Sequence, residues 1–176
     1  DYRRELNMST GELDRTLQWQ AGQGARVRID SQRLVLLSRS HAAVQRYIVS
    51  VLDAGSDAAE AAVTITLEAV LDGYTRNKHG GDDPRVGHTP GKMLLCDERF
   101  AEDQDGMASI RQHAPHSGLS AAIATAVQLN RGQLETVSGD GSEADAERVR
   151  QKVTVSLKAG ERLELIKYIA VVDSRN

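Results

Sequence analysis

Between Tyr74 and Lys92 the sequence gathers Arg76, Asn77, Lys78, His79, Asp82, Asp83, Arg85 and His88 around Gly80-Gly81, Pro84 and Pro90, with no apolar alternation. Guanidinium, amide and imidazole groups can hydrogen-bond sugar hydroxyls or the surface of a neighbouring domain. Long segments without secondary structure tend to carry function. Arg76, Asn77 and His79 are therefore the candidates for substrate or domain-interface contact, although the same composition also suits a solvated connection.

Other reactive side chains form weaker patterns. His113 and His116 have a spacing seen in zinc sites, and His79 could join Asp82 and Asp83, but no matched pair completes a four-ligand set. Asp103-Gln104-Asp105-Gly106 shares part of a calcium loop's pattern, yet Ala101 occupies the opening position, and Ile110 and Gln112 stand near where the bidentate Glu is needed. It reads as a hairpin turn. Cys96 follows Met93-Leu94-Leu95 without a flanking base and reads as a small core residue. His41, after Ser40, reads as a residue packed at a strand turn, and nothing singles out a carboxylate pair for acid–base work. The sequence thus supplies no catalytic residue, no metal ligands and no cofactor motif.

The elements that must position these groups follow from composition and period. At 176 residues and 40% hydrophobic, the chain suits one buried core, read as a single domain over 1–176. A net charge of −3, evenly spread, offers no basic stripe for nucleic acid and no polybasic membrane anchor. A lone cysteine excludes an internal disulfide, and no apolar run is long enough to span a bilayer. A cytoplasmic location is the expectation.

Alternation with a period of two predicts antiparallel strands almost throughout. Leu13, Leu17 and Trp19 share one parity, which places the indole inside, and Ala21-Gly22-Gln23-Gly24 supplies a hairpin loop to Val27 and Ile29. Arg33 to Leu37 and Ala42 to Leu52 are apolar on both parities, as in central strands covered on both faces. Val63, Ile65 and Leu67 mark a further strand, and Asp57 to Ala62 reads as loop. Val153, Val155 and Leu157, then Gly160, then Leu163 and Leu165 predict a closing hairpin. A parity slip before Tyr168 predicts a β-bulge near Ile166 and Lys167. Leu119 to Leu129 fits a helix by its alanines and a strand by its alternation; strand is preferred because pairing in an all-β setting overrides propensity differences of about 0.7 kcal/mol per residue. Turn signals at Asp105-Gly106, Arg131-Gly132 and Ser138-Gly139-Asp140-Gly141 complete an all-β antiparallel β-sandwich.

Several of these segments resemble the amino-terminal region of glycoside hydrolase family 65, whose members split or phosphorolyse α-glucosidic disaccharides such as maltose, trehalose and kojibiose. The resemblance runs through Trp19, Arg26-Val27-Arg28-Ile29 with Ser31, Arg33 to Ser38 ending in His41, and Arg46-Tyr47. It returns at Leu71-Asp72-Gly73 with Asn77 and at Gly160 to Leu163 running into Lys167 to Val171, whereas Cys96 to Asp145 matches loosely. It implies a galactose-mutarotase-like super-sandwich. It also implies a partner, a helical-barrel catalytic domain of the same protein, where a Glu protonates the leaving oxygen while phosphate or water attacks. The segment from Tyr2 to Met8 and the run Val171 to Asn176 read as interior pieces of a larger domain. The expected role is therefore non-catalytic: docking the barrel, supporting assembly such as a homodimer, and closing over a disaccharide and phosphate. The alternative is an autonomous carbohydrate-binding module. An aromatic content of 3% argues against it, since sugar platforms use exposed rings.

Overall fold

The computed structural model describes residues 1–55, 61–76, 92–137 and 141–175, without the side chain of Gln23. Its strands are β1 (Tyr2–Asn7), β2 (Glu12–Gln20), β3 (Arg26–Val35), β4 (Ala42–Asp53), β5 (Ala62–Asp72), β6 (Leu95–Glu102), β7 (Met107–His113), β8 (Ser120–Leu129), β9 (Glu135–Thr136), β10 (Arg148–Lys158) and β11 (Arg162–Asp173). They form an eight-stranded sheet, β1-β2-β3-β4-β11-β8-β7-β6, facing a three-stranded sheet, β5-β10-β9, and every pairing is antiparallel. The expected antiparallel sandwich is the fold. No helix among the described residues is long and apolar enough to cross a membrane. Of the predicted loops, 57–60 and 138–140 lie outside the described residues.

Alternation explains which faces meet. Val149, Gln151, Val153 and Leu157 of β10 are buried, while Thr154 and Ser156 between them are exposed. They pack with Val27, Val49, Val51, Val127, Leu134, Leu163 and Leu165 of the large sheet and its loops, and a second apolar cluster joins Leu71, Ala108, Ile110 and Val149. Burying each such aliphatic side chain stabilises the fold by about 1.5–3 kcal/mol. Polar Gln151 is admitted to this core because its amide donates to the carbonyls of Glu102 at 3.1 Å and Met107 at 3.5 Å. The alanine-rich segment is strand β8, held between β11 and β7, so pairing on both sides does override helix propensity.

Four expectations change. The turn at Gly160 does not close a hairpin, since β10 lies in the small sheet and β11 in the large one. With φ 84° at Gly160, the chain instead crosses between layers, and the amide of Gly160 donates to Val51 O at 2.8 Å while Val51 N donates to Glu161 O at 3.0 Å. No bulge falls at Ile166 and Lys167: β11 keeps unbroken register against β4 and β8. Lys167 simply occupies an inward position, where its ammonium reaches Val70 O at 2.8 Å, and Tyr168 points to the other face with its hydroxyl 3.3 Å from Gln128. Register shifts occur instead between Arg26 and Val27 and between Cys96 and Glu98.

The third correction is Trp19, which is 59% exposed. Its parity was read correctly, because it pairs with buried Val27 and so lies on the inward face. The three-stranded layer, however, is too narrow to reach β1 and β2, and Tyr2 and Leu6 on that same face are also exposed. The fourth concerns β4, which is central as expected but is not covered on both sides. On its outer face Ala42 and Val44 are only half-buried beside exposed Tyr168 and Ala170 of β11, and no described element lies over them.

Leu157→Ala or Leu163→Ala, both at positions with 0% exposure, should cost about 2–5 kcal/mol in urea unfolding. Trp19→Ala should cost well below the ~3 kcal/mol that marks a buried aromatic. Equal losses at Trp19 and Leu163 would contradict the unequal layers.

Candidate functional site

The described residues that follow β5, 73–76, meet those that begin again at Lys92. Asp72 accepts from the backbone N–H of Tyr74 at 2.9 Å and from Arg148 at 2.9 Å. That arginine is the main reason the Asp72 carboxyl is held below its usual range. Gly73 is buried; its N–H donates to Glu147 O at 2.9 Å and its carbonyl accepts from the Gln112 amide at 2.8 Å. A Cβ at this position would lie 2.8 Å from Glu147 O, so only glycine lets the chain pass this close.

Beyond Gly73, the Tyr74 ring carries a cation on either flank of the segment. The Arg76 guanidinium sits 4.9 Å from the ring centroid and the Lys92 ammonium 4.6 Å from it. Such contacts contribute about 0.5–1 kcal/mol where partly exposed. Lys92 also reaches Glu147 at 2.5 Å and Glu143 at 2.9 Å, and Arg76 lies 3.4 Å from Glu143. The Glu147 hydrogen bond, then that to Glu143, raises the Lys92 pKa, and the Lys92 hydrogen bond lowers that of Glu143. Residues 76 and 92 are thus tied to one ring and one carboxylate, which fixes the base of the segment between them.

Of the three sequence candidates, Arg76 belongs to this cluster, while Asn77 and His79 lie outside the described residues. Tyr74, Glu143 and Glu147 complete the cluster; the two glutamates come from a distant, loosely patterned stretch around the short 3-10 helix Asp145–Glu147, and no local signal links them to Tyr74. The arrangement can hold hydroxyl or anionic groups; it pairs no nucleophile with a base. Elsewhere, His113 Nδ1 lies 2.5 Å from Asp97, and His41 and His116 are exposed in turns. Among the described residues no three His, Cys, Asp or Glu side chains converge on a metal position. Asp103 opens the β6–β7 hairpin as predicted, and its carboxylate accepts from Thr136 at 2.6 Å. Cys96 packs against the second apolar cluster, where burial pushes its thiol pKa up.

Comparison with known proteins is consistent over the whole chain. The sequence model of "Glycosyl hydrolase family 65, N-terminal domain" matches residues 1–176. Uncharacterized glycosyl hydrolases of Mycobacterium leprae and Mycobacterium tuberculosis are 25% identical over 169 residues, covering 96% of this chain and 20% of theirs. A putative kojibiose phosphorylase from the human microbiome superposes with a TM-score of 0.70 at 16% identity, over 100% of this chain and 20% of that one. The chain spans about a fifth of the length of the relatives it matches.

Two outcomes follow from the cluster. Gly73→Ala should lower the melting temperature clearly, whereas Gly11→Ala, where no atom lies within 4 Å of the added Cβ, should show only the modest strain of its φ of +74°. Glu143 has a depressed folded pKa, so its contribution is present above the ordinary value of 4.5 and is lost as pH falls through the lower folded value. Thermal unfolding from pH 6 downward should therefore weaken more steeply in the parent than in Glu143→Gln below about that ordinary carboxylate pKa; parallel curves would contradict the clamp.

Proposed function

The chain belongs to the N-terminal domain family of glycosyl hydrolase family 65, and from that premise we propose that it serves as a non-catalytic domain that docks the catalytic portion of a larger enzyme. The observation that carries this reading is the outer face of the eight-stranded sheet. There Ala42, Val44, Ala124, Ala126 and Ala170 form a shallow trough bordered by Met107 and Tyr168, with a volume of about 480 Å³. Small apolar side chains give a smooth floor that another domain can approach closely, and burying the trough is favourable in proportion to its apolar area. The family's helical barrel is the proposed occupant. The relatives' fivefold greater length leaves ample chain for one.

In the parent enzyme the proposed reaction is cleavage of an α-glucosidic disaccharide by phosphate or water, with general acid catalysis supplied by a carboxyl in the barrel. The kojibiose phosphorylase neighbour favours phosphate as the nucleophile. Arg76 with Asn77 and His79 is proposed to contribute the one loop that approaches the barrel, and the Tyr74 clamp supports this by fixing where that loop departs. A cytoplasmic location and assembly into a homodimer belong to the same proposal.

The exposed indole of Trp19 favours a second reading, an autonomous carbohydrate-binding module, because a flat exposed ring can stack on a pyranose face. Calorimetric titration with maltose separates the two; a saturable heat change abolished in Trp19→Ala supports the module. Docking predicts no such change, and no release of glucose from maltose, trehalose or kojibiose by the chain alone, with or without phosphate. Ala126→Arg should leave the isolated chain's stability within about 0.5 kcal/mol, as for surface positions. In the full-length enzyme the same change should lower activity and melting temperature. An unaffected full-length variant would remove the trough from the account.

A further inference from the structure

The inward face of β1, β2 and β3 beyond the reach of the small sheet carries charge of one sign only. Arg4 on β1 stands directly opposite Arg15 on β2, Arg15 opposite Ser31 on β3, and Arg33 opposite Leu13. The register sends the acidic residues of these strands, Glu5, Glu12, Asp14 and Asp30, to the other face, where Asp30 pairs with Arg28 and Asp14 accepts from Gln32. Among the described residues none of the three arginines has an ion-pair partner. The Arg15 Nε is buried with no hydrogen-bond acceptor, and the Ser31 residue is 4% exposed.

Like charges directly opposite across a ladder destabilise it, and a buried guanidinium N–H without an acceptor has lost its hydration with nothing in return. The side chains of Tyr2, Arg4, Leu13, Arg15, Ser31 and Arg33 line a solvent-open pocket of about 110 Å³, the scale of a single tetrahedral oxyanion with its first water. Three planar forks of N–H donors and the hydroxyls of Tyr2 and Ser31 line it, more donors than one carboxylate can use and of the kind a multiply charged oxyanion accepts.

We propose that this pocket is a binding site for a phosphate-class oxyanion, which neutralises the Arg4–Arg15 repulsion and satisfies the Arg15 Nε. The ion lies between adjacent strands and so fastens the edge strands β1 and β2 to β3. Its function is separate from the trough on the opposite face, and neither reading depends on the other.

The test is calorimetric titration of inorganic phosphate into the chain at low ionic strength, with acetate and chloride as parallel titrants. Phosphate should bind saturably and raise the melting temperature, acetate should bind at least about tenfold more weakly, and chloride should show only screening. Arg15→Gln and Arg33→Gln should each weaken phosphate by roughly tenfold or more, while Arg162→Gln, on the outer face of β11, should not. Arg4→Gln lies on an exposed edge strand, where folding is least at risk. It should weaken phosphate and also raise the melting temperature of the phosphate-free protein. Absence of saturable phosphate binding, equal binding of acetate, or phosphate affinity unchanged in Arg4→Gln and Arg33→Gln would overturn the proposal.

Discussion

Everything in this fold depends on β10 lying across one part of a sheet much wider than its own, the part that runs from β4 to the edge strand β6. Val153, Leu157 and Leu163 are at most 1% exposed, and Val51 is fully buried beside them. The loop at Gly160 welds the two layers by hydrogen bonds to both polar groups of Val51. Because hydrophobic stabilisation scales with area removed from water, cohesion is concentrated where three strands cover β4, β11, β8 and β7. It declines toward β1, all of whose residues are exposed.

That asymmetry explains the surfaces the chain presents. An apolar trough, an indole and three inward arginines lie where no described element supplies a covering layer, and large contiguous apolar or one-sign regions on a single domain mark contact sites. The polar segment after Gly73 is treated differently. Its described flanks, Tyr74 with Arg76 on one side and Lys92 on the other, are drawn together by a tyrosine ring, two cations and two glutamates. The energy needed is small, since cation–π contacts and exposed ion pairs are individually weak. What the clamp supplies is position.

How much of this was legible depended on whether the signal was local. Alternation in Val63 to Leu67 and in Val153 to Leu157 identified strands and the dry face of each, because the side-chain period of a strand is two. It could not say which strand would be the neighbour, so Gly160 read as a hairpin when it is a crossing between layers. Trp19 had the correct face and the wrong burial, for parity reports direction and only the opposing layer decides coverage. The inward Lys167 imitated a bulge because a lysine reaching a backbone carbonyl breaks the apolar pattern without breaking the register. At the site, Arg76 could be named from composition, whereas Glu143 and Glu147, some seventy positions away in sequence, could be paired with Tyr74 and Lys92 only by the fold.

An eight-stranded sheet held by a three-stranded one should show graded protection, which native-state amide hydrogen exchange on the chain would measure. Amides of β4, β10 and β11 should exchange only through global unfolding, and those of β1 and the outer half of β2 should open at far lower free energy. Uniform protection from β1 through β11 would contradict it.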